Sequence, residues 1–399
     1  MSSAPRVIDL PFSAKRLDRR AVSVVSQLRQ AGHETYLVGG CVRDLLLGLS
    51  PKDFDIATSA TPQQVRRVFG RRSRIIGKRF PIVHVRSGQE IYEIATFRSA
   101  PKKSKETKTL ARDTNYGTVE SDALRRDFTI NALYLDPESL KIYDWTDGLG
   151  DLEKRLMRSI GDPNVRFKED PVRILRLIKF MRRLDFDPGP AEIDAARSLA
   201  SVVKEAAAAR IADEVLRLMR TKCMTGVFAD LFELKLLPTM LPEVSHWLKQ
   251  DENNYQLLSR QLAALDSMPW RNSPSGALLL ACLYGPMVEQ EVMATSNYEF
   301  HTPQRVAVSW LRGFQERAHM PRHVLSDAKH ILALQHRLDT DIAPKKHGIS
   351  SKAIGPLRRQ PYLKDALRYC EIRLLAAGRD TQLCQDWRNK LLPKAPSRR

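Results

Sequence analysis

Two carboxylates, Asp53 and Asp55, flank a single phenylalanine. On an extended segment, side chains two apart share one face. Like charges held there repel unless a cation lies between them. Mg²⁺ suits such a place, because it takes one or two carboxylates together with substrate phosphates. A pair of such ions clamps the attacking and leaving oxygens of an in-line phosphoryl displacement. Upstream, Tyr36-Leu37-Val38 is an apolar run that suits a buried strand. Gly39-Gly40 follow, where the backbone approaches something closely or takes a positive φ. Val42 to Leu47 reads as a helix of about two turns, stopped by Gly48. Bare N–H groups near glycines meet phosphate oxygens. The order strand, glycine pair, short helix and second strand carrying Asp53 and Asp55 predicts a site for Mg²⁺, two ions, and a triphosphate.

Other segments must complete that site. In Glu90–Arg98, alternation puts Ile91, Glu93 and Ala95 on one strand face and Tyr92, Ile94 and Thr96 on the other. Glu93 is then a third carboxylate beside the aspartates, or a strand-edge glutamate in solvent. Ser99 to Gly117 carries several lysines and few apolar residues, the composition of a loop. Further on, the apolar residues Ala123, Leu124, Phe128, Ile130 and Leu133 have helical spacing, which predicts an amphipathic helix over Ser121–Leu133. It carries Arg125 and Arg126, whose planar forks suit phosphate oxygens. Asp127 could hold an arginine, bind a sugar hydroxyl or act at the metal site. Asp170 is expected to cap a helix with Pro171 just inside it. Asp170, Arg173, Arg176 and Lys179 recur every third residue, along one slowly turning stripe. An acceptor–donor pair such as Asp170 and Arg173 can meet the polar edge of a base; it can equally form a surface ion pair.

Composition narrows the function classes. The 399 residues suffice for two to four domains. The net charge of +19, from 65 basic and 46 acidic residues, favours a polyanionic partner. Five scattered cysteines form no Cys-x-x-Cys pair, which fits reduced thiols in the cytoplasm. No apolar stretch long enough to span a membrane is seen, so no membrane partner is expected. Gly-x-Gly-x-x-Gly does not follow the first strand, which argues against a dinucleotide fold.

Residues 1–14 read as a flexible arm, Ala21–Ala31 as an amphipathic helix ended by Gly32, and Thr61 as the N-cap of a helix opened by Pro62. Lys141–Trp145 reads as a last strand and Asp147-Gly-Leu-Gly150 as a closing turn. Ala191–Met219 and most of 251–392 have helical periodicity, with basic residues recurring and a basic tail, Lys390–Arg399.

Taken together, Gly39-Gly40 through Asp53-Phe54-Asp55 resembles the first signature of the class II nucleotidyltransferases, the DNA polymerase beta-like family of bacterial poly(A) polymerases and CCA-adding enzymes. Arg125-Arg126-Asp127-Phe128-Thr129-Ile130-Asn131-Ala132-Leu133 resembles the second, and Glu169-Asp170-x-x-Arg173 the nucleotide-selecting motif. The likeness runs to about Pro242. It implies an α+β fold, with a polymerase-beta-like head of mixed sheet and helices over 1–150. An all-α neck over 151–245 and a helical body and basic tail over 246–399 would follow, both binding RNA.

The family implies that Asp53 and Asp55 hold two Mg²⁺ ions, with Glu93 or Asp127 as third carboxylate. Gly39, Gly40 and Arg43 would cradle the triphosphate. Arg125, Arg126, Asp127 and Asn131 would complete the nucleotide pocket, and Asp170, Arg173, Arg176 and Lys179 would select and hold the base. Lys179 departs from the arginine that many relatives carry. The expected activity is template-independent transfer of AMP from ATP to an RNA 3′ end. Ile75-Ile-Gly-Lys-Arg-Phe-Pro-Ile-Val-His-Val85 resembles the stretch marking bacterial poly(A) polymerases, whereas CCA-adding relatives usually carry a Gly-Thr-type run. The rival activities are CCA addition to tRNA, which uses the same metal chemistry, and a silent RNA-binding protein. The oligomeric state is left open.

Overall fold

The computed structural model describes residues 4–77, 81–99, 115–270, 273–294, 302–318, 320–339, 341 and 349–392. Lys78-Arg79-Phe80, most of the lysine-bearing segment 99–117, Lys345, Lys346 and the tail beyond Leu392 lie outside them. The chain forms two compact units. One comprises Met1–Arg166 with Phe186–Asp194; the other comprises Phe167–Asp185 with Ala195–Arg399.

The first unit is built on an eight-stranded mixed sheet. Its strands are β1 (Arg6–Asp9), β2 (Thr35–Val38), β3 (Ile56–Thr58), β4 (Ser73–Ile76), β5 (Ile82–Ser87), β6 (Glu90–Thr96), β7 (Leu133–Asp136) and β8 (Lys141–Asp144), in the order β1-β8-β7-β2-β3-β6-β5-β4. Only β3 and β6 run parallel, with Ile56 opposite Ile94. The helices are α1 (Arg19–Gln30), α2 (Gly40–Leu46), α3 (Pro62–Phe69), α4 (Val119–Leu124) and α5 (Gly148–Glu153). Thr61 caps α3 with Pro62 just inside it, as its sequence predicts, and the Gln64 side chain closes the cap reciprocally.

The β6 alternation sorts as expected: Tyr92, Ile94 and Thr96 are buried while Ile91 and Glu93 are exposed. The Tyr92 hydroxyl donates to Asp18, the N-cap of α1, at 2.7 Å, so the buried face lies on the α1 side. The opposite face is covered at one end by an aromatic cluster of Tyr36, Tyr134, Phe97 and Val38 with Ala123 of α4. Tyr36 and Tyr134 meet edge to face at 5.9 Å.

Four expectations change. Residues Arg6–Asp9 are not a free arm: they pair with β8 as an edge strand, which half-exposes Val7 and extends the sheet by one row. Residues 147–150 enter the short helix α5 instead of a bare turn. The helix predicted over Ser121–Leu133 ends at Leu124. Phe128 is extended, Thr129–Asn131 is one 3₁₀ turn, and β7 begins at Leu133. Asp127 accepts from the Phe128 N–H at 2.9 Å, a local side-chain bond that competes with helix. Finally, the regular strand starts at Ile56, so Asp53 and Asp55 sit on its approach rather than within it.

The short strands β9 (Leu156–Met157) and β10 (Asp187–Pro188) pair in parallel within the first unit. From α6 (Pro163–Glu169) the chain becomes helical. It continues through α7 (Val172–Leu184), α8 (Pro190–Ser198), α9 (Ala208–Met219), α10 (Met224–Glu233), α11 (Leu237–Met240), α12 (Pro242–Leu248) and α13 (Asn253–Ser267). Then come α14 (Gly276–Ala294), α15 (Thr302–Ala318), α16 (Arg322–Leu338), α17 (Ser351–Arg358), α18 (Leu363–Ala376) and α19 (Gln382–Leu391). In the second unit α14 is buried without interruption from Ala277 to Val288, as suits a helix apolar on every side, and packs against α13, α15, α16 and α18. None of the described helices is long and apolar enough to cross a membrane.

Candidate active site

Gly39 sits at the end of β2 with φ 76° and ψ −124°, a conformation that favours glycine. A Cβ there would stand 3.2 Å from Nη1 of Arg126. Gly40 opens α2 and is less constrained, with the nearest such contact, Arg43 Nη2, at 3.7 Å. Arg43 follows on α2 but turns inward and is 1% exposed. Its guanidinium donates to Asp44 at 2.8 and 2.5 Å and to Oδ1 of Asn131 at 2.5 Å. The Asn131 amide passes the contact on to Asp127 at 3.2 Å. The first and second signatures are thus joined through Arg43–Asn131–Asp127, beneath the glycine turn. Arg43 tethers the two; it is not an open phosphate contact.

Arg126 sits beside this chain. It donates to the Tyr134 hydroxyl at 2.9 Å, to Asp122 at 3.1 Å and to the Asn131 carbonyl at 3.4 Å. The Tyr134 hydroxyl donates to the same Asp122 carboxylate at 2.6 Å. Burial opposes the Arg126 charge, yet Tyr134 and Asp122 more than offset it and hold its pKa above the ordinary value. Burial raises the Tyr134 hydroxyl well above its usual range. Arg125 is half-buried and reaches the Ser99 carbonyl at 3.1 Å.

The acidic residues come together through register. The Val38 N–H donates to the Asp55 carbonyl at 3.0 Å, which continues the β2–β3 ladder by one residue. Because Ile56 is opposite Ile94, Asp55 falls beside Glu93 on the same face of neighbouring strands. Across β5, His84 is opposite Glu93, and Arg74 of β4 is opposite His84. One transverse row therefore runs Arg74, His84, Glu93, Asp55, Val38, Tyr134 and Tyr143, polar at one end and aromatic at the other. His84 Nε2 lies 3.4 Å from a Glu93 oxygen. Asp53 and Asp55 are both exposed, and Asp53 has Lys52 at 4.0 Å. The buried Cys41 thiol is pushed up to about 12 by desolvation, and the Asp55 charge adds to that.

No group of three or more His, Cys, Asp or Glu side chains among the described residues is already closed into a metal cage. Mg²⁺ does not require one, since one or two carboxylates and the substrate's own phosphates suffice. The donor chemistry of Asp53, Asp55 and Glu93, all oxygen and all exposed, fits that ion.

In the helical unit, Asp170 lies in the break between α6 and α7. Contrary to expectation it caps nothing: Pro171 holds the cap position, without a side-chain bond. Instead Oδ2 accepts from Arg210 of α9 at 2.9 Å, and Oδ1 is buried with no hydrogen-bond partner. The Arg173 N–H bonds the Asp170 carbonyl at 3.0 Å, and its guanidinium is 3.5 Å from Glu169. Arg176 lies over the Phe180 ring at 5.4 Å. Lys179 departs from this group: it is buried and donates to Glu214 at 2.9 Å, and burial lowers its pKa. A three-residue step falls about 60° short of a full helical turn. Within α7, two such steps carry Lys179 about 120° round the helix from Arg173.

Asp122, Tyr134 and Arg210 escaped the sequence reading, and His84 entered it only within the Ile75–Val85 stretch, with no role of its own. Asp122 and Tyr134 bracket the second signature, and a polar residue within an apolar helix face is a usable signal for the first. Nothing local marks Arg210, whose partner Asp170 is 40 residues away; His84 meets Glu93 across the β5–β6 hairpin, a pairing that depends on strand register.

Known proteins fit this geometry. The "Poly A polymerase head domain" family matches residues 35–158, and the "Probable RNA and SrmB- binding site of polymerase A" family matches 185–248. Poly(A) polymerase I of Haemophilus influenzae is 42% identical over 61% of the chain, and the match spans 56% of that relative. Poly(A) polymerase I of Salmonella typhimurium is 34% identical over 82% of the chain and 71% of the relative. A CCA-adding enzyme of Staphylococcus aureus is 34% identical over 55% of the chain and 54% of its own length. The crystal structure of the Bacillus stearothermophilus CCA-adding enzyme in complex with CTP has a TM-score of 0.63 and 24% identity, covering 93% of this chain and 81% of that one. With a head sheet followed by helices, both signatures joined through one buried arginine, and this similarity along most of its length, the chain belongs to the class II nucleotidyltransferases that include poly(A) polymerase I and the CCA-adding enzymes.

Proposed function

We propose that the chain transfers AMP from ATP to the 3′ end of RNA without a template and releases pyrophosphate. The observation that carries this is the register that sets Asp55 beside Glu93 on one sheet face, next to the Gly39 turn. Asp53, Asp55 and Glu93 are the residues that would hold Mg²⁺. When bound, two such ions neutralise charge on the attacking and leaving oxygens. The chain's own residues position the reactants, which in phosphoryl transfer is most of the catalytic work. Gly39 keeps side chains away from the triphosphate. Arg125 and Arg126 face its charge, and Arg126 is braced by Asp122 and Tyr134. Arg43, buried, acts by holding Asn131 and Asp127 in place. Asp127 serves the nucleotide pocket, leaving Glu93 as the third carboxylate. Asp170 and Arg173 read the base. The basic helices track RNA through its phosphates.

AMP is favoured over CCA addition because likeness to the poly(A) polymerase I relative covers 82% of the chain, against 55% for the CCA-adding relative. The test is extension of a labelled, unstructured RNA and of a tRNA lacking its 3′ end, with Mg²⁺ and one nucleotide at a time. A long ladder from ATP alone on the unstructured RNA is the expected result. Addition confined to tRNA and dependent on CTP would overturn it in favour of the CCA activity.

A further inference from the structure

We infer that the open face of β4, β5 and β6 is a track along which the last nucleotides of an RNA strand reach the carboxylates, with Arg74 and Arg86 holding their phosphates. This rests on the proposed function, in which an RNA 3′ end meets Asp53, Asp55 and Glu93.

The two faces of these strands differ. On one, Val83, Val85, Tyr92 and Ile94 are buried, and α3 packs against β4 and β5. On the other, Arg74 is opposite His84 and His84 opposite Glu93, with Arg86 opposite Ile91 two residues along. No residue of that second set is buried: His84 is half-buried and the rest are exposed, Ile91 at 60%. The arginines nearer the glycine turn are spent on the fold, Arg43 on Asp44 and Asn131, and Arg126 on Asp122 and Tyr134. The side chains of Arg74 and Arg86, in contrast, have no hydrogen-bond or ion-pair partner among the described residues. A charge on an edge strand can serve only to keep that edge from pairing with another chain. That accounts for Arg74 on β4. It does not account for Arg86, because β5 is paired on both sides.

Charge along this face changes sign. From Arg74 at the β4 edge, three strand steps of the usual spacing lead to Asp55, about 14 Å. That distance holds a few nucleotides of extended RNA. It also sets their direction. With the 3′ hydroxyl at the acidic end, the preceding phosphates fall on the basic end, where guanidinium forks bind them strongly. The reverse direction would lay phosphates on carboxylates. Ile91, exposed beside Arg86, offers an apolar contact to a ribose or base whose phosphate the arginine holds. Phosphate contacts carry no sequence information, which suits a strand extended without a template. The Ile75–Val85 stretch builds β4 and β5, and Arg74 and Arg86 bracket it. Its part is then to support an unstructured RNA end.

The test uses the full chain with Arg74→Ala, Arg86→Ala and the double variant. Arg66→Ala, on an exposed arginine of α3 across the sheet, is the charge-matched control. Binding of a 5′-fluorescein oligoadenylate RNA is followed by fluorescence anisotropy at several salt concentrations, without ATP. The KM for ATP at saturating RNA and the melting temperature are recorded for each protein. Each single variant is expected to weaken RNA binding severalfold, and the double variant about tenfold or more. The salt slope of binding should fall by about 0.7 for each arginine removed. The KM for ATP and the melting temperature should stay at wild-type values, and Arg66→Ala should bind as the wild type does. If Arg74→Ala and Arg86→Ala bind RNA no more weakly than Arg66→Ala, the track is wrong, even where the wild type extends RNA from ATP. If the wild type extends RNA with no nucleotide while the variants still bind it more weakly, the proposed function fails and the face stands as an RNA-binding surface.

Discussion

At the scale of the residue, the two adjacent glycines make opposite predictions. Gly39 combines a positive φ with a Cβ position 3.2 Å from Arg126, so a side chain there is strained and also presses on the arginine expected to face phosphate. Backbone strain of that sort costs about 1–3 kcal/mol. Gly39→Ala is expected to lower the melting temperature measurably and AMP incorporation at least tenfold. Gly40→Ala, in helical conformation with only an ordinary 3.7 Å contact to Arg43 Nη2, is expected to leave both nearly unchanged. Equal effects in the two proteins would show that the turn at Gly39 has no special part. The aspartates are predicted to behave differently again. Asp53 and Asp55 are exposed, so Asp53→Asn and Asp55→Asn should fold as the wild type does. Removing a carboxylate that would hold the Mg²⁺ facing the reacting phosphate should nevertheless cost several kcal/mol of transition-state stabilisation, about 10³-fold in kcat. Circular dichroism and single-nucleotide extension on the same samples separate the two effects, and a variant keeping a tenth of the wild-type rate would remove that aspartate from the metal site.

At the scale of the element, the second signature is held by contacts rather than by helical propensity. The Tyr134 hydroxyl bridges Asp122 and Arg126 from β7. Tyr134→Phe keeps the ring and its packing but removes that bridge, at an expected cost of about 1–2 kcal/mol. With Arg126 less firmly placed, the KM for ATP is expected to rise severalfold and kcat to change less, by steady-state kinetics. An unchanged KM would mean that Arg126 needs no bracing. The same segment explains where sequence reading succeeds and stops. The α3 cap, the β6 alternation and the stop at Gly48 depend on residues within a few positions of each other, and all three are legible. The predicted helix over Ser121–Leu133 misleads because Asp127 offers the backbone a competing local bond, and apolar spacing cannot register that. The third-residue stripe misleads by drift, carrying Lys179 to the buried side. The parallel pairing of β3 with β6, which sets Glu93 beside Asp55, joins strands separated by α3, β4 and β5, and no local pattern encodes it.

At the scale of the whole molecule, the helical unit holds a partly buried carboxyl group with consequences for pH. Glu289 of α14 lies among α14 and α18 side chains, with Arg373 Nε at 3.5 Å and the Tyr369 hydroxyl donating at 3.4 Å. Burial raises its pKa from 4.5 to about 7, and Arg373 offsets only part of that. Between those values the folded chain keeps a proton that the unfolded chain has released. This contribution to stability is therefore complete below about pH 4.5 and is lost as pH rises to about 7. At 1.36 kcal/mol for each pH unit, the loss comes to about 3 kcal/mol. Neighbouring Asp339 titrates in the other direction and elsewhere: hydrogen bonds from Arg379 and Arg373 outweigh its burial and hold it below 3.8. Its contribution changes only at lower pH, outside the window. The informative quantity is a difference between two proteins. Denaturant unfolding of the wild type and of Glu289→Gln is compared at several pH values from 4.5 to 8. Glutamine cannot ionise, so the variant should lose stability less steeply and gain on the wild type towards neutral pH. Parallel curves for the two proteins would mean that Glu289 is ionised throughout, with Arg373 neutralising it fully.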